Sequence, residues 1–339
     1  MTETVGGKIQ ETQMGRYRST RGLDYESVPW RLWEKSKKLF WDPADLDFSQ
    51  DAIDWQTMSD EERTLIALSA RGFMVGEEAV TLDIVPLLRC MSDLGRLEDT
   101  MYLAMFAMEE AKHTDMFRRW FDAVGLDPAS LDDLVQAQQA TLGQGRPGLF
   151  DGALTRVMRR LDTDRSPRAI LDATLIYNQL VEGVAAIAGY RRWEQAFRRL
   201  GKLPGLEAGI KLTQRDERRH IAYGTYLGRR IIAENPDLWE WVEQRWAKLT
   251  AGFGGGYGAA DPQLRERRAA LGFDDEYQQR LIKRRLEALA VARTMTIDEV
   301  NSSAIEALEP EELQHCSRRP DRRRPRVPRA VPRPAPPTT

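Results

Sequence analysis

Apolar residues along this chain recur every three to four positions, and no stretch alternates for the length of a strand. The pattern predicts long helices. Ser59 and Glu62 form a capping box at the head of the first. Its Leu65, Ile66, Leu68, Phe73, Val80 and Ile84 keep a helical period until Pro86 ends or kinks it. A second helix is expected over about 97–124, with Gly125 placed to cap it. A linker over 126–165 holds one amphipathic stretch near 129–141 and a Gly/Pro break at 143–148. Ser166-Pro167 then opens a third helix that runs to about Leu200, before Gly201. The fourth covers about 205–232. Asn235-Pro236 starts a helix rich in tryptophan (Trp239, Trp241, Trp246), a Gly-rich loop follows at 252–258, and Asp261-Pro262 and Phe273 head two charged amphipathic helices. Residues 23–55 show no clear period but carry Tyr25, Trp30, Trp33, Phe40, Trp41, Phe48 and Trp55, and are expected to wrap the bundle as an irregular cover. The fold class is all-α.

Within those helices a few polar residues fall where a core is expected. Met108-Glu109-Glu110-Ala111-Lys112-His113 and Asp216-Glu217-Arg218-Arg219-His220 each place a carboxylate three residues before an imidazole. That spacing puts both side chains on one helix face. The chain has three histidines, and two of them sit in this pattern. Glu77 lies mid-helix beside Val75, Ala79 and Val80, and Glu182 is the one acid in a long small-and-apolar neighbourhood. A lone Glu-x-x-His is more often a surface ion pair, and Glu77-Glu78 alone reads as an exposed pair. Taken together, Glu77, Glu110, His113, Glu182, Glu217 and His220 match the ligand pattern of di-metal carboxylate bundles. The expectation is therefore a ferritin-like helical bundle. Four carboxylates would balance two divalent cations, and oxygen-rich ligation with one histidine per ion suits iron or manganese.

Composition narrows the setting. Of 339 residues, 42% are hydrophobic and 30% charged, which fits a globular protein with a core. Eight arginines and one aspartate after residue 316 give the tail a local +7 against a total of −2, so the rest carries −9. An acidic body with a basic Arg/Pro tail does not read as a nucleic-acid binder. Two cysteines, Cys90 and Cys316, build no disulfide framework. The N-terminus has no apolar leader, and no run approaches the apolar length of a membrane span. A cytoplasmic location is expected. The domain reading is a mobile arm over 1–22, one helical domain over 23–316, and a disordered tail over 317–339.

The run Leu39-Phe40-Trp41-Asp42-Pro43-Ala44-Asp45-Leu46-Asp47, followed by the ligand order above, resembles the ribonucleotide reductase small-subunit family over about residues 23–260. The resemblance implies that Glu77, Glu110 and His113 hold a first metal, that Glu182, Glu217 and His220 hold a second, and that Glu110 and Glu217 bridge. It also implies that Asp216 orients His113, with Trp41 beside it. Three departures matter. Phe117 stands where the family's radical tyrosine usually lies, the C-terminus has no tyrosine, and the first ligand is Glu rather than Asp. The strings around Glu77, Glu110, Tyr177-Asn178 and Glu217 are closer to the reductase-like ligand-binding oxidases. That resemblance implies a manganese–iron centre (di-iron as the alternative), O2 as oxidant, a long-chain fatty acid in a hydrophobic tunnel, an ether cross-link between Val80 and Tyr177, and a homodimer. Tyr190, two turns past Glu182, is expected to line the site. The rival readings are a reductase small subunit and an iron-handling bundle of the ferritin kind.

Overall fold

The structure is a computed structural model that describes residues 22–141, 149–251, 272 and 274–314. The helices, in chain order, are α1 Val28–Lys38, α2 Ser49–Thr57, α3 Asp60–Asp83, α4 Val85–Asp93, α5 Leu97–Val124, α6 Asp132–Thr141, α7 Thr155–Arg160, α8 Pro167–Leu200, α9 Pro204–Glu234, α10 Trp239–Thr250, α11 Asp275–Ala290, α12 Ile297–Asn301 and α13 Glu311–Gln314. No strand occurs among the described residues. The fold is ferritin-like: α3 packs along α5, α8 packs along α9, and the two pairs enclose the core.

Local chemistry sets the ends of these helices. Ser59 and Glu62 exchange the two hydrogen bonds of a capping box at the head of α3. Pro86 falls in the first turn of α4, where a missing N–H costs nothing, so the break comes at Ile84. Gly125 takes φ 70° after α5 and Gly201 takes φ 61° after α8, the left-handed conformation that glycine enters freely. Ser166 caps Ala169 N at the start of α8. The first turn of α9 is capped from another helix. Asp51 of α2 accepts from Gly205 N and Leu206 N at 2.8 Å each, and from Trp120 Nε1 at 3.1 Å. Gly205 is needed there, because a Cβ would lie 2.5 Å from Asp47 O.

Residues 23–55 depart from expectation, because they contain α1 and α2 as well as irregular turns. Both helices place a polar residue inward, Ser36 and Asp51, which hides the apolar stripe. The third predicted helix is α8, but its middle, Leu175–Ala186, is wound as a π-helix. By length and composition Pro167–Leu200 could cross a membrane, yet 89% of its most apolar window is buried inside the bundle. It is a core helix. The linker carries α6 and α7. The predicted Gly-rich loop, the helix expected at Asp261-Pro262, residues 1–21 of the arm and the Arg/Pro tail lie outside the described residues.

Candidate metal centre

The six predicted residues meet in one place. α3 supplies Glu77, α5 supplies Glu110 and His113, α8 supplies Glu182, and α9 supplies Glu217 and His220; all six are buried. Glu78, next to Glu77, points to solvent. One donor atom each from Glu77, Glu110, His113 and Glu217 lies within 4.8 Å of the others, and so does one each from Glu110, Glu182, Glu217 and His220. Two four-residue groups therefore share Glu110 and Glu217.

The atoms face each other in order. His113 Nδ1 lies 3.2 Å from Glu77 Oε2, 3.5 Å from Glu110 Oε2 and 3.7 Å from Glu217 Oε1. His220 Nδ1 lies 3.0 Å from Glu110 Oε1 and 3.7 Å from Glu217 Oε2. Each shared carboxylate turns one oxygen to each imidazole. Bonds of about 2.1 Å to one ion would set neighbouring donors about 3–3.5 Å apart, close to this spacing. Both oxygens of Glu110, Oε1 of Glu182, Oε2 of Glu217 and Nδ1 of His220 are buried with no hydrogen-bond partner among the described residues. Orphaned buried donors and acceptors are costly, and two cations would satisfy all five. The residues fit a dinuclear metal group.

Electrostatics say the same. Burial pushes the Glu77 and Glu182 carboxyls well above the usual carboxylate range, and Glu217 up as well. At Glu110 burial acts in the same sense but the two imidazoles outweigh it and hold the carboxyl low. Burial disfavours charge on His113 and His220, yet the carboxylates around them raise both well above the normal imidazole value. Without cations the cluster keeps protons.

A second layer holds each imidazole by its far nitrogen. His113 Nε2 faces Asp216 Oδ2 at 3.3 Å, and that carboxylate also accepts from Trp41 Nε1, Lys112 Nζ and Arg219 Nη2 at 2.7 Å each. Trp41 stacks over His113 at 6.2 Å between ring centroids. His220 Nε2 faces Glu109 Oε2 at 2.9 Å. Arg219 reaches Glu109 Oε1 at 2.5 Å and Ser36 Oγ at 2.8 Å, so one guanidinium ties both outer acids together. An Nε2–H aimed at a carboxylate leaves the Nδ1 lone pair for the centre. The family resemblance pointed to Asp216 and Trp41, and both lie against His113 here, whereas Glu109 was not singled out. The signal was present: both motifs read acid-Glu-x-x-His, and each leading acid serves the histidine of the other helix.

Val80 and Tyr177 are buried in the same apolar cluster, and Tyr190 is buried against Phe73. The hydroxyls of Tyr177 and Tyr190 have no hydrogen-bond partner among the described residues. In a π-helix the hydrogen bond runs from i to i+5, which returns Tyr177 toward the face of Glu182. Asn178 Nδ2 donates to Glu182 Oε2 at 3.0 Å. A cavity of about 680 Å³ opens from Glu77, Glu110, Glu182 and Glu217 between α3 and α8. Its walls include Leu65, Phe73, Val80, Val181, Ala185 and Trp193, and Arg192 and Arg199 lie farther along α8; neither Tyr177 nor Tyr190 is part of them.

The family model described as ribonucleotide reductase, small chain, matches residues 23–251. Among solved structures, an R2-like ligand-binding oxidase from Sulfolobus acidocaldarius is 36% identical, with a TM-score of 0.72, and the match covers 84% of this chain and 98% of that one. A tyrosine-to-phenylalanine mutant of an R2-like ligand-binding oxidase, with an aerobically reconstituted Mn/Fe cofactor, is 33% identical over 82% of this chain and 98% of that one, TM-score 0.69. A glycine-to-leucine mutant with a non-activated Mn/Mn cofactor is also 33% identical over 82% and 98%, TM-score 0.70.

Proposed function

This chain belongs to the R2-like ligand-binding oxidases of the ribonucleotide reductase small-chain family, and from that premise we propose that it uses O2 to oxidise a buried, fatty-acid-like ligand by two electrons. The observation that carries the reading is a pair of overlapping carboxylate–histidine groups at the inner end of an apolar cavity. Glu77, Glu110 and His113 would hold manganese, Glu182, Glu217 and His220 would hold iron, and Glu110 and Glu217 would bridge; two irons are the alternative filling. When bound, the metals supply the redox chemistry with O2. The chain supplies the rest. Asp216 and Glu109 orient the imidazoles, and Arg219 fixes those two acids relative to each other. The apolar walls exclude water and hold a long alkyl chain against the carboxylates.

Phe117 supports this reading over a reductase subunit. It lies buried one turn past His113, packed on Phe73 at 6.1 Å, with no O–H to oxidise. Homodimerisation and a cytoplasmic setting belong to the same proposal. The test is aerobic loading of metal-free protein with Mn(II) and Fe(II), followed by peptide mass mapping. The expected product links Val80 to Tyr177 through an ether and is two hydrogens lighter than the separate peptides. An unlinked mass with both metals bound overturns the oxidase chemistry and leaves the metal site standing.

A further inference from the structure

Behind the second half of the site, a line of aromatic rings leads away from the cavity. Phe106 stacks on His220 at 3.7 Å between centroids, and Tyr102 lies 6.0 Å from Phe106. Tyr223 follows 5.0 Å from Tyr102, and Tyr226 6.3 Å from Tyr223. All five rings are buried. Tyr102 and Phe106 are four apart on α5, while His220, Tyr223 and Tyr226 are spaced by three on α9, so two helix stripes face each other and interleave. The line ends at Tyr226, whose hydroxyl donates to Asn301 Oδ1 at 3.3 Å and accepts from Arg230 Nη1 at 3.1 Å. The Arg230 side chain is 28% exposed, so the surface begins there.

Packing alone does not account for three hydroxyls in this core, since leucine or phenylalanine would fill it without the cost of burying a polar group. Tyr102 Oη has no hydrogen-bond partner among the described residues. Tyr223 Oη donates to Asp99 Oδ1 at 3.0 Å, and Asp99 is itself buried and held by Arg96 Nε and Nη2 at 3.1 and 3.2 Å. A phenol that loses an electron must also lose its proton, and of the three only Tyr223 donates to a carboxylate.

We propose that Tyr102, Tyr223 and Tyr226 relay electrons between the metal centre and the surface, with Tyr223 as the station where an oxidising equivalent rests. The proposal rests on the oxidase reading, which supplies the oxidant: a dinuclear centre oxidised by O2. Tyr223 would give up one electron by way of Tyr102 and Phe106, with the oxidised centre as its acceptor. The Tyr223 O–H bond breaks and the proton passes to the Asp99 carboxylate, leaving a neutral phenoxyl beside a neutral carboxyl. A one-electron reductant of the small thiol or flavin class, acting at Tyr226, returns the electron, and Asp99 returns the proton. Atoms and charge are restored. Phe106 has no O–H and serves as a bridge, while Tyr102 lacks a proton acceptor and passes the electron without holding the hole. The relay discharges the centre when no ligand fills the cavity.

The deciding experiment needs no metal. In full-length protein with Cys316→Ser, a ruthenium photo-oxidant is attached at Ser302→Cys, an exposed position next to Asn301. Flash-quench oxidation of the metal-free protein is expected to give a tyrosyl radical by EPR, with hyperfine splitting that collapses on ring deuteration of tyrosine. Tyr223→Phe and Asp99→Asn are each expected to cut its yield at least about tenfold, with circular dichroism unchanged. A yield that survives Tyr223→Phe overturns the relay. In a second arm, Mn/Fe-loaded protein is mixed with O2 and freeze-quenched without ligand. A radical lost in Tyr223→Phe, while metal content holds, supports the relay, and O2 uptake with no such radical overturns it. Absence of O2 uptake would overturn the oxidase reading, while the metal-free arm still decides the relay.

Discussion

The two halves of the metal centre share a motif but not a scaffold. In the first half Glu77 and His113 stand on regular α-helix, and the acid behind His113, Asp216, is fixed by Trp41, Lys112 and Arg219. In the second half Glu182 stands on a π-wound segment and is held by Asn178 of the same helix, and His220 is backed by Glu109 and stacked on Phe106. A π-helix is rare and is often found at functional sites. The contrast gives one over-determined half and one more adjustable half, whose carboxylate is held by a single side chain of its own helix. The cavity meets both, at Glu77 and Glu182 as well as at the shared Glu110 and Glu217.

The largest expected effect separates shared from unshared ligands. Glu217→Ala removes a carboxylate common to both groups and is expected to abolish binding of both ions, whereas Glu182→Ala is expected to leave one ion per chain, in the first half. Elemental analysis after desalting reads the difference, and equal losses would contradict the shared role. Next comes the layer behind the histidines. Asp216→Asn leaves Lys112 and Arg219 with less buried countercharge and is expected to destabilise the fold by about 3–5 kcal/mol, measured by denaturant unfolding. Glu109→Gln leaves Arg219 its Asp216 partner and should cost less; its main effect should be weaker metal binding at the second half, by roughly 10–100-fold.

Gly224→Ala probes the adjustable half alone. A Cβ there would lie 2.0 Å from Asn178 Cβ, the residue that holds Glu182. Overpacking is expected to cost about 1–3 kcal/mol and to lower occupancy of the second half while sparing the first. The mildest test is pH. In metal-free protein Glu77, Glu182 and Glu217 are raised by burial, and His113 and His220 by the carboxylates. The folded chain thus retains protons that the unfolded chain releases above about pH 4.3 for Glu and about 6.5 for His. Stability therefore falls as pH rises through neutrality. Thermal midpoints of the metal-free form should drop between pH 6 and 8, and those of the loaded form should drop less, because cations replace the protons.

Much of this was legible in the sequence where the signal is local. Helix ends at Ser59, Gly125, Ser166 and Gly201 follow from capping, and the inward faces of Glu110 with His113 and of Glu217 with His220 follow from helical spacing. Three features were not legible, each for a physical reason. α1 and α2 turn Ser36 and Asp51 inward, to meet Arg219 and the head of α9, so their buried stripes are not purely apolar. The π-winding of Leu175–Ala186 leaves no mark on apolar period when every residue of that segment is buried or nearly so. Glu109 lies beside a predicted ligand, and only the pairing of α5 with α9 shows that it serves His220.

Anomalous diffraction at the manganese and iron edges, on crystals of protein loaded aerobically with both metals, tests the dinuclear site most directly. The account predicts two ions between α3, α5, α8 and α9, one bonded to His113 Nδ1 and the other to His220 Nδ1, with Glu110 and Glu217 bonded to both. A single ion, or ions bound through Nε2 or away from Glu77 and Glu182, would contradict it.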